Sequence, residues 1–146
     1  MALHLIKLCV GVDHVDELAG YQAARLAAAR AAGIENPKIR HVMRNTPRRA
    51  AQVLDGGSLY WVIRRVIRVR QPILAFEAAE REDGTPACAI VLDPVLVRTK
   101  HRSFRPFQGW RYFPDSDVPP DLPEGADPAA DVPEEMADEL RELGLI

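Results

Sequence analysis

Arginine and aromatic residues are concentrated in two stretches of this 146-residue chain. The first is SLYWVIRRVIRVR at residues 58–70, and the second is KHRSFRPFQGWRYF at residues 100–113. A guanidinium can bind phosphate through two parallel hydrogen bonds, and an exposed aromatic ring can stack on a nucleobase. These stretches predict a surface that binds nucleic acid, RNA in particular, or a nucleotide-like ligand. Its expected residues are Tyr60, Arg64, Arg65, Arg68, Arg70, Arg98, Lys100, Arg102, Arg105, Trp110 and Arg111.

The same residues also have an interpretation without nucleic acid. Aromatic side chains are usually buried, and charged side chains are common on solvent-facing strands. The basic face is then the docking site of an acidic protein partner or of the chain's own C-terminal residues, or it belongs to a small-ligand enzyme. Arg65 falls on the apolar face of the expected strand, where a buried charge needs Glu77, Asp93 or a ligand anion as its partner.

Charge is distributed unevenly along the chain, although the net charge is only −2. Residues 38–111 carry fifteen Lys and Arg against six Asp and Glu, whereas residues 112–146 carry one Arg against eleven Asp and Glu. A cationic region concentrates anions around it. We expect a single α+β domain at 1–113 and an acidic, proline-rich tail at 114–146 that ends in a short helix, EEMADELRELG, after Pro133. The tail is predicted either to solubilise the chain or to lie over the basic face and compete with nucleic acid.

No motif in the sequence identifies a reaction. The four histidines and two cysteines lack the spacing of a zinc site, and the chain has no phosphate-binding glycine loop or nucleophile motif. Cys9 and Cys88 lie in apolar runs and are interpreted as buried, reduced thiols. The sequence therefore predicts no metal and no cofactor, and it assigns no catalytic residue.

A cytoplasmic protein without a membrane partner is expected. No apolar run approaches the roughly 20 residues that cross a bilayer. The N-terminal sequence MALHLIKLCVG lacks the apolar h-region and cleavage site of a signal peptide. Two cysteines are also too few for a disulfide framework.

The alanine-rich run at 15–32 predicts a long helix. Asp13 is the expected N-cap, and Gly33 follows the last turn as the C-terminal cap. The side chains expected to face a core are those of Leu18, Tyr21 and Leu26. A second, short helix at 47–54 is predicted from Thr46 at the N-cap position and Pro47 in the first turn.

Extended structure is predicted over most of the remaining chain to residue 99. The expected strands are 4–10, 38–43, 58–70, 73–79, 87–92 and 95–99. Residues 58–70 are expected to form one strand that Pro72 ends, because proline has no N–H for a central ladder. Asp83-Gly84 predicts a hairpin turn, and residues 114–133 predict a poorly ordered linker. The order of elements indicates an α+β fold with two helices and a curved, mostly antiparallel sheet or pseudo-barrel.

Three motifs resemble those of a bacterial family of small proteins classed as a domain of unknown function. They are HLIKLCVG at 4–11, GGSLYWVIRRVI at 56–67 and RPFQGWRYF at 105–113. The resemblance covers residues 3–113 and implies no activity, cofactor or catalytic residue. In layout, the helix ending in glycine, the arginine-bearing strand and the antiparallel strands that follow resemble the PUA-like superfamily, with its ASCH and EVE branches. That resemblance implies a small pseudo-barrel that binds RNA or modified nucleobases.

Overall fold

The structure is a computed structural model that describes residues 2–123. Its elements in chain order are β1 Leu3–Leu8, α1 Val15–Ala31, β2 Ile39–Met43, α2 Ala50–Leu54, β3 Ser58–Ile63, β4 Val66–Glu80, β5 Pro86–Leu92, β6 Val97–Ser103 and β7 Trp110–Pro114. The helix expected near the end of the acidic tail lies outside the described residues.

The seven strands form one sheet in the order β2-β5-β4-β3-β1-β7, and β6 pairs with the first half of β4. β1 and β3 run parallel, because α1, β2 and α2 provide the long crossover that a parallel pair requires. The other pairs are antiparallel. Among the described residues, β2 and β7 are the two ends of this order, so the sheet is open. The expected α+β fold with a mostly antiparallel sheet and two helices is confirmed.

Side chains pack on both faces of the sheet, as the alternation of a strand requires. We call the face under α1 and α2 the helix-covered face, and the opposite one the helix-free face. The core of the helix-covered face includes Leu5, Leu18, Ile39, Val53, Leu59, Ile63, Ile90 and Leu92. The helix-free face holds a second cluster of Ile6, Tyr60, Val62, Ile67, Phe107 and Phe113. Phe104 and Val118, from segments that follow β6 and β7, pack against this second cluster.

The prediction of one strand at residues 58–70 is wrong, because the chain reverses inside this stretch. β3 ends at Ile63, β4 begins at Val66, and the two strands pair antiparallel. Arg64 and Arg65 form the two-residue connection, with φ of 52° and 64°. Positive φ at both positions is the pattern of a type I′ turn, which usually takes Asn-Gly. Arg65 is therefore exposed at the turn and does not lie on an apolar face.

We expect the double variant R64N/R65G to raise the free energy of unfolding by about 1 kcal/mol. Left-handed backbone costs a non-glycine residue roughly 1–2 kcal/mol, and Asn-Gly adopts it readily. Urea unfolding measures the difference. The control R64Q/R65Q removes the same two charges without relieving the turn. Equal stability of the two variants would contradict this prediction.

The prediction that Pro72 ends a strand is also wrong. Pro72 lies within β4 and is aligned with Ser58 of β3. β4 pairs with β6 only up to Arg70 and with β5 from Ile73 onward, so the missing N–H falls where β4 changes partner. The carbonyl of Pro72 still accepts a hydrogen bond from the N–H of Asp93, at 3.0 Å.

At the N-termini of the helices, α1 begins at Val15 as predicted but has a different capping residue, and α2 begins later than predicted. His14 is the N-cap of α1 in place of Asp13, and α2 begins only at Ala50, after Arg49. Within α1, Leu18 is buried and Leu26 packs against the core as expected, whereas Tyr21 is 57% exposed. Gln22 is buried in its place. The prediction used residue type alone and therefore placed Tyr21, rather than Gln22, in the core. Residue type gives no reason to expect a polar glutamine to be buried.

Candidate functional site

Three of the predicted arginines lie on the helix-free face. Arg70 donates from Nε and Nη2 to the two carboxylate oxygens of Asp121, each at 2.8 Å, and from Nη1 to Ser58 Oγ at 2.9 Å. The guanidinium of Arg102 lies 5.8 Å from the centre of the Phe113 ring. That of Arg111 lies 4.7 Å from the centre of the Phe107 ring. The remaining predicted cations do not join this group.

The other predicted cations are spread around the molecule. Arg98 pairs with Asp16 at the start of α1, at 2.9 Å, and so lies towards the helix-covered side. Arg68 sits beside an irregularity in the pairing of β4 and donates from Nε to the carbonyl of Ile63 at 3.2 Å. Arg64 and Arg65 are at the β3–β4 turn, and Lys100 and Arg105 are exposed on β6 and after it. The eleven predicted residues therefore do not form a single surface.

Tyr60 cannot serve as a base-stacking residue in this structure, because it is only 3% exposed. Its ring packs edge-on between His4, at 5.2 Å, and Phe113, at 5.5 Å between ring centres. Burial raises the pKa of its hydroxyl to about 12. Trp110 is partly exposed and meets Tyr112 edge-on at 5.0 Å, so it remains accessible at the β7 edge.

The first part of the expected linker is docked on the domain. The N–H of Leu122 donates to the carbonyl of Arg98, and the N–H of Lys100 donates to the carbonyl of Pro120. Asp121 pairs with Arg70, and this hydrogen-bonded contact holds the pKa of the Asp121 carboxyl below its usual value. Residues 114–123 therefore pack against the fold, and only the part of the acidic tail beyond them lies outside the described residues.

A cavity of about 330 Å³ lies on the helix-covered face, between α1 and strands β1, β2 and β3. We call it the α1 cavity. Lys7 of β1 and Arg25 of α1 supply its positive charge, and none of its described lining residues is Asp or Glu. Tyr21 of α1, His41 of β2 and Trp61 of β3 supply its aromatic rings. None of these except Trp61 stands in the two arginine-rich stretches of the sequence.

His41 is the most perturbed titratable group in the wall of the α1 cavity. Its ring meets that of Trp61 edge-on at 5.2 Å. Burial, with the nearby charges of Lys7 and Arg25, lowers the pKa of its imidazole to about 4. The imidazole is therefore neutral at pH 7. Its Nε2 atom is buried and has no hydrogen-bond partner among the described residues.

Two further groups at the α1 cavity respond to burial. Burial raises the pKa of the Cys9 thiol to about 11, so the thiol is protonated at neutral pH and is unsuited to act as a nucleophile. Burial lowers the pKa of the Lys7 ammonium. Lys7 is half-buried, and it takes part in none of the ion pairs found within the described part of the chain. An anion entering the cavity would offset this loss of hydration.

A buried amide cluster fixes the wall of the α1 cavity. Gln71 Oε1 accepts from Trp61 Nε1 and from Gln22 Nε2, each at 2.9 Å. Gln71 Nε2 donates to Gln22 Oε1 at 2.8 Å and to the carbonyl of Asp93 at 3.0 Å. The cluster ties α1 to β3 and β4 and holds the indole of Trp61 in one orientation.

A second cavity of about 420 Å³ adjoins the first. It lies between the C-terminal end of β2, the β4–β5 turn and the start of β7, and we call it the edge cavity. Its cations are Lys7, Arg44 and Arg81, and Trp110 supplies an aromatic side chain. Lys7 and Val42 line both cavities, so the two are next to each other. Glu80, Glu82 and Asp83 line a further depression beyond Arg81, which marks the outer end of the cationic region.

Sequence reasoning missed Lys7, Arg25, Arg44 and Arg81 because they are far apart in the chain. Lys7 alone belongs to one of the three motifs, HLIKLCVG, and that motif implied no role for it. One signal was present for His41. In the strand predicted at 38–43, His41 lies on the same face as Ile39 and Met43. This places a polar ring on an inward face. A buried polar residue is more informative than an exposed arginine, because burial has to be compensated.

Within residues 2–123, no three or more His, Cys, Asp or Glu side chains are grouped so that they could hold a metal ion. Neither α1 nor α2 is long and apolar enough to span a bilayer. These two findings concern the described part of the chain alone.

Residues 5–146 match a family model described as "Protein of unknown function (DUF1489)". The chain belongs to this family. The match extends through the acidic tail, so the family covers more of the chain than the 3–113 that the three motifs indicated. No curated protein and no solved structure matches the chain significantly. The PUA-like layout therefore stays a prediction.

Proposed function

We propose that this protein binds a nucleotide-like ligand, an anion that carries a planar ring, in the α1 cavity. The observation that carries the proposal is the convergence of Lys7 and Arg25 on a cavity whose described lining holds no carboxylate. Both cations contribute to lowering the pKa of His41, which indicates that their fields overlap at the same place. Cations without a counter-ion at a concave site are suited to bind an anion.

The rings in the cavity wall support a planar ligand group. The indole of Trp61 is held by Gln71, and the His41 ring is packed edge-on against it. Tyr21 is exposed although it lines the cavity, so part of its ring is available to a ligand. A ligand that reaches His41 Nε2 would give this buried atom the hydrogen bond it lacks.

The cavity volume and its neutral imidazole fit one nucleotide better than a simple inorganic anion. A volume of about 330 Å³ is within the range of small-molecule sites. Neutral His41 offers a hydrogen bond to a base edge without adding charge, while Lys7 and Arg25 offer charge to a phosphate. The proposal includes a cytoplasmic location, where nucleotides are available and free thiols such as Cys9 and Cys88 stay reduced.

Calorimetric titration with the four common ribonucleoside monophosphates, their nucleosides and inorganic phosphate tests the proposal. At low salt, at least one nucleotide is expected to bind roughly 10-fold or more tightly than its nucleoside and than phosphate alone. The double variant K7Q/R25Q is expected to lose this preference. The control R102Q/R111Q removes two charges from the helix-free face and is expected to keep it. Absence of nucleotide binding up to millimolar concentration would reject the proposal.

A second candidate function is binding of RNA across the helix-free face, by the arginines of the original prediction. The stacking of Arg102 on Phe113 and of Arg111 on Phe107 favours it, because it presents two guanidinium groups on a rigid aromatic base. Arg70 on this face pairs with both carboxylate oxygens of Asp121, an arrangement that would equally suit an acidic protein partner. The double variants K7Q/R25Q and R102Q/R111Q separate the two candidates. If RNA binding is lost in R102Q/R111Q and kept in K7Q/R25Q, the result favours the helix-free face over the α1 cavity.

A further inference from the structure

The pairing of β3, β1 and β7 places two tryptophans on either side of one lysine. Lys7 is aligned with Trp61 across the β1–β3 pair and with Trp110 across the β1–β7 pair. Residues aligned across neighbouring strands point to the same face of a sheet. The three side chains therefore form a row on the helix-covered face, spanning two strand spacings of about 4.8 Å each. Trp61 lines the α1 cavity, Trp110 lines the edge cavity, and Lys7 lines both.

The charges along this row continue beyond the α1 cavity. Arg44, just after β2, and Arg81, just after β4, line the edge cavity with Lys7. Both arginines are exposed, and neither takes part in the ion pairs found among residues 2–123. The cationic path from Arg25 through Lys7 to Arg44 and Arg81 is thus longer than the α1 cavity alone.

From this continuity we propose that the ligand is a single-stranded oligonucleotide that occupies both cavities. This inference rests on the proposed function, since the α1 cavity takes one nucleotide. The adjacent nucleotide of the same strand lies in the edge cavity, with its base against Trp110 and the linking phosphate among Lys7, Arg44 and Arg81. Alternating aromatic and cationic groups along a groove are the usual means of binding a single strand.

The ends of the path limit the length of strand that it binds. Beyond Arg81, the tip of the β4–β5 hairpin presents Glu80, Glu82 and Asp83. The Asp83 carboxyl accepts hydrogen bonds from the N–H and hydroxyl of Thr85, which lower its pKa, so it is charged at neutral pH. A phosphate placed there would be repelled. Two nucleotides are therefore the expected extent of tight contact, and further nucleotides should add little.

The test compares a 5′-phosphorylated mononucleotide with a dinucleotide and a tetranucleotide of the same base, in ribose and deoxyribose forms. Fluorescence titration of the full chain at low salt is expected to show roughly 10-fold tighter binding of the dinucleotide than of the mononucleotide. The tetranucleotide is expected to add less than about 3-fold, given the acidic tip. The two sugar series identify whether the strand is RNA or DNA.

Arg44→Gln with Arg81→Gln is expected to remove the dinucleotide gain while leaving the affinity for the mononucleotide within about 2-fold. The control Arg48→Gln with Arg105→Gln removes two exposed charges from outside both cavities and should preserve the gain. If the mononucleotide binds and the dinucleotide binds no more tightly, the second subsite in the edge cavity is rejected and the proposed function stands. A gain that survives R44Q/R81Q would overturn the second subsite too. Failure of every length to bind would overturn both proposals.

Discussion

Replacing Gln71 by leucine is expected to lower the free energy of unfolding by about 3 kcal/mol or more. Gln71 is fully buried, and its amide serves Trp61 Nε1, the Gln22 amide and the carbonyl of Asp93. Leucine has a similar size but leaves these buried polar groups without partners, at about 1–3 kcal/mol each. Urea unfolding followed by circular dichroism measures the loss.

The double variant Q22L/Q71L provides the control for this interpretation. Removing both amides eliminates part of the unsatisfied polar surface, so the double variant should be less destabilised than the sum of Q22L and Q71L by at least about 1 kcal/mol. Strictly additive losses would show that the two amides do not act as a pair. Q71L should also weaken nucleotide binding in the α1 cavity, because it frees the indole of Trp61.

Replacing Gly57 by alanine is expected to cost at least about 2 kcal/mol of stability. A Cβ at this position would lie 2.3 Å from the carbonyl oxygens of both Leu3 and Val53. These are backbone atoms of β1 and α2 and cannot rotate away. The N–H of Gly57 also donates to the Val53 carbonyl at 2.8 Å, and its carbonyl accepts from Ile73 at 3.0 Å, so the backbone is held in place. Thermal unfolding should show a lower Tm, by several degrees.

Gly20→Ala is the matched control for this substitution. Gly20 lies within α1, and a Cβ built there meets no atom within 4 Å. Alanine at an open helical position stabilises by up to about 1 kcal/mol relative to glycine. The two variants should therefore shift Tm in opposite directions. An unchanged Tm for Gly57→Ala would mean that β1 and α2 separate easily, which would contradict the close packing at this point.

The elements with strong local signals are the ones that the sequence predicted well. The alanine-rich run gave α1 nearly to the residue, since helix propensity acts within a few turns. Asp83-Gly84 predicted the β4–β5 turn, where Gly84 has φ of 82°. The β3–β4 turn was missed because Arg64 and Arg65 occupy left-handed positions without glycine or asparagine. Nothing in that local pattern distinguished a turn from a continuous strand.

The predicted binding residues were selected by type, and type alone does not fix position. Arg70 and Arg98 lie close together in the pairing of β4 with β6, yet they belong to different sides of the molecule. Arg70 is aligned with Tyr60 on the helix-free face, whereas the Arg98 guanidinium reaches Asp16 of α1. Where the pairing of two strands is irregular, the strand bends, and this bend decides on which face of the sheet a side chain lies. Such irregularities have no clear signal in the sequence.

The sequence by itself determined the α+β class, the membership of a family of unknown function, and the contrast between a basic body and an acidic end. These depend on composition and on neighbours along the chain. Only the tertiary structure brought Lys7, Arg25 and His41 together at one cavity and placed Lys7 between Trp61 and Trp110. The physical reason is that the pairing of β1 with β3 joins residues 54 positions apart, and its pairing with β7 joins Lys7 to Trp110, 103 positions apart. Such pairing is selected by the burial of whole faces rather than by any local pattern.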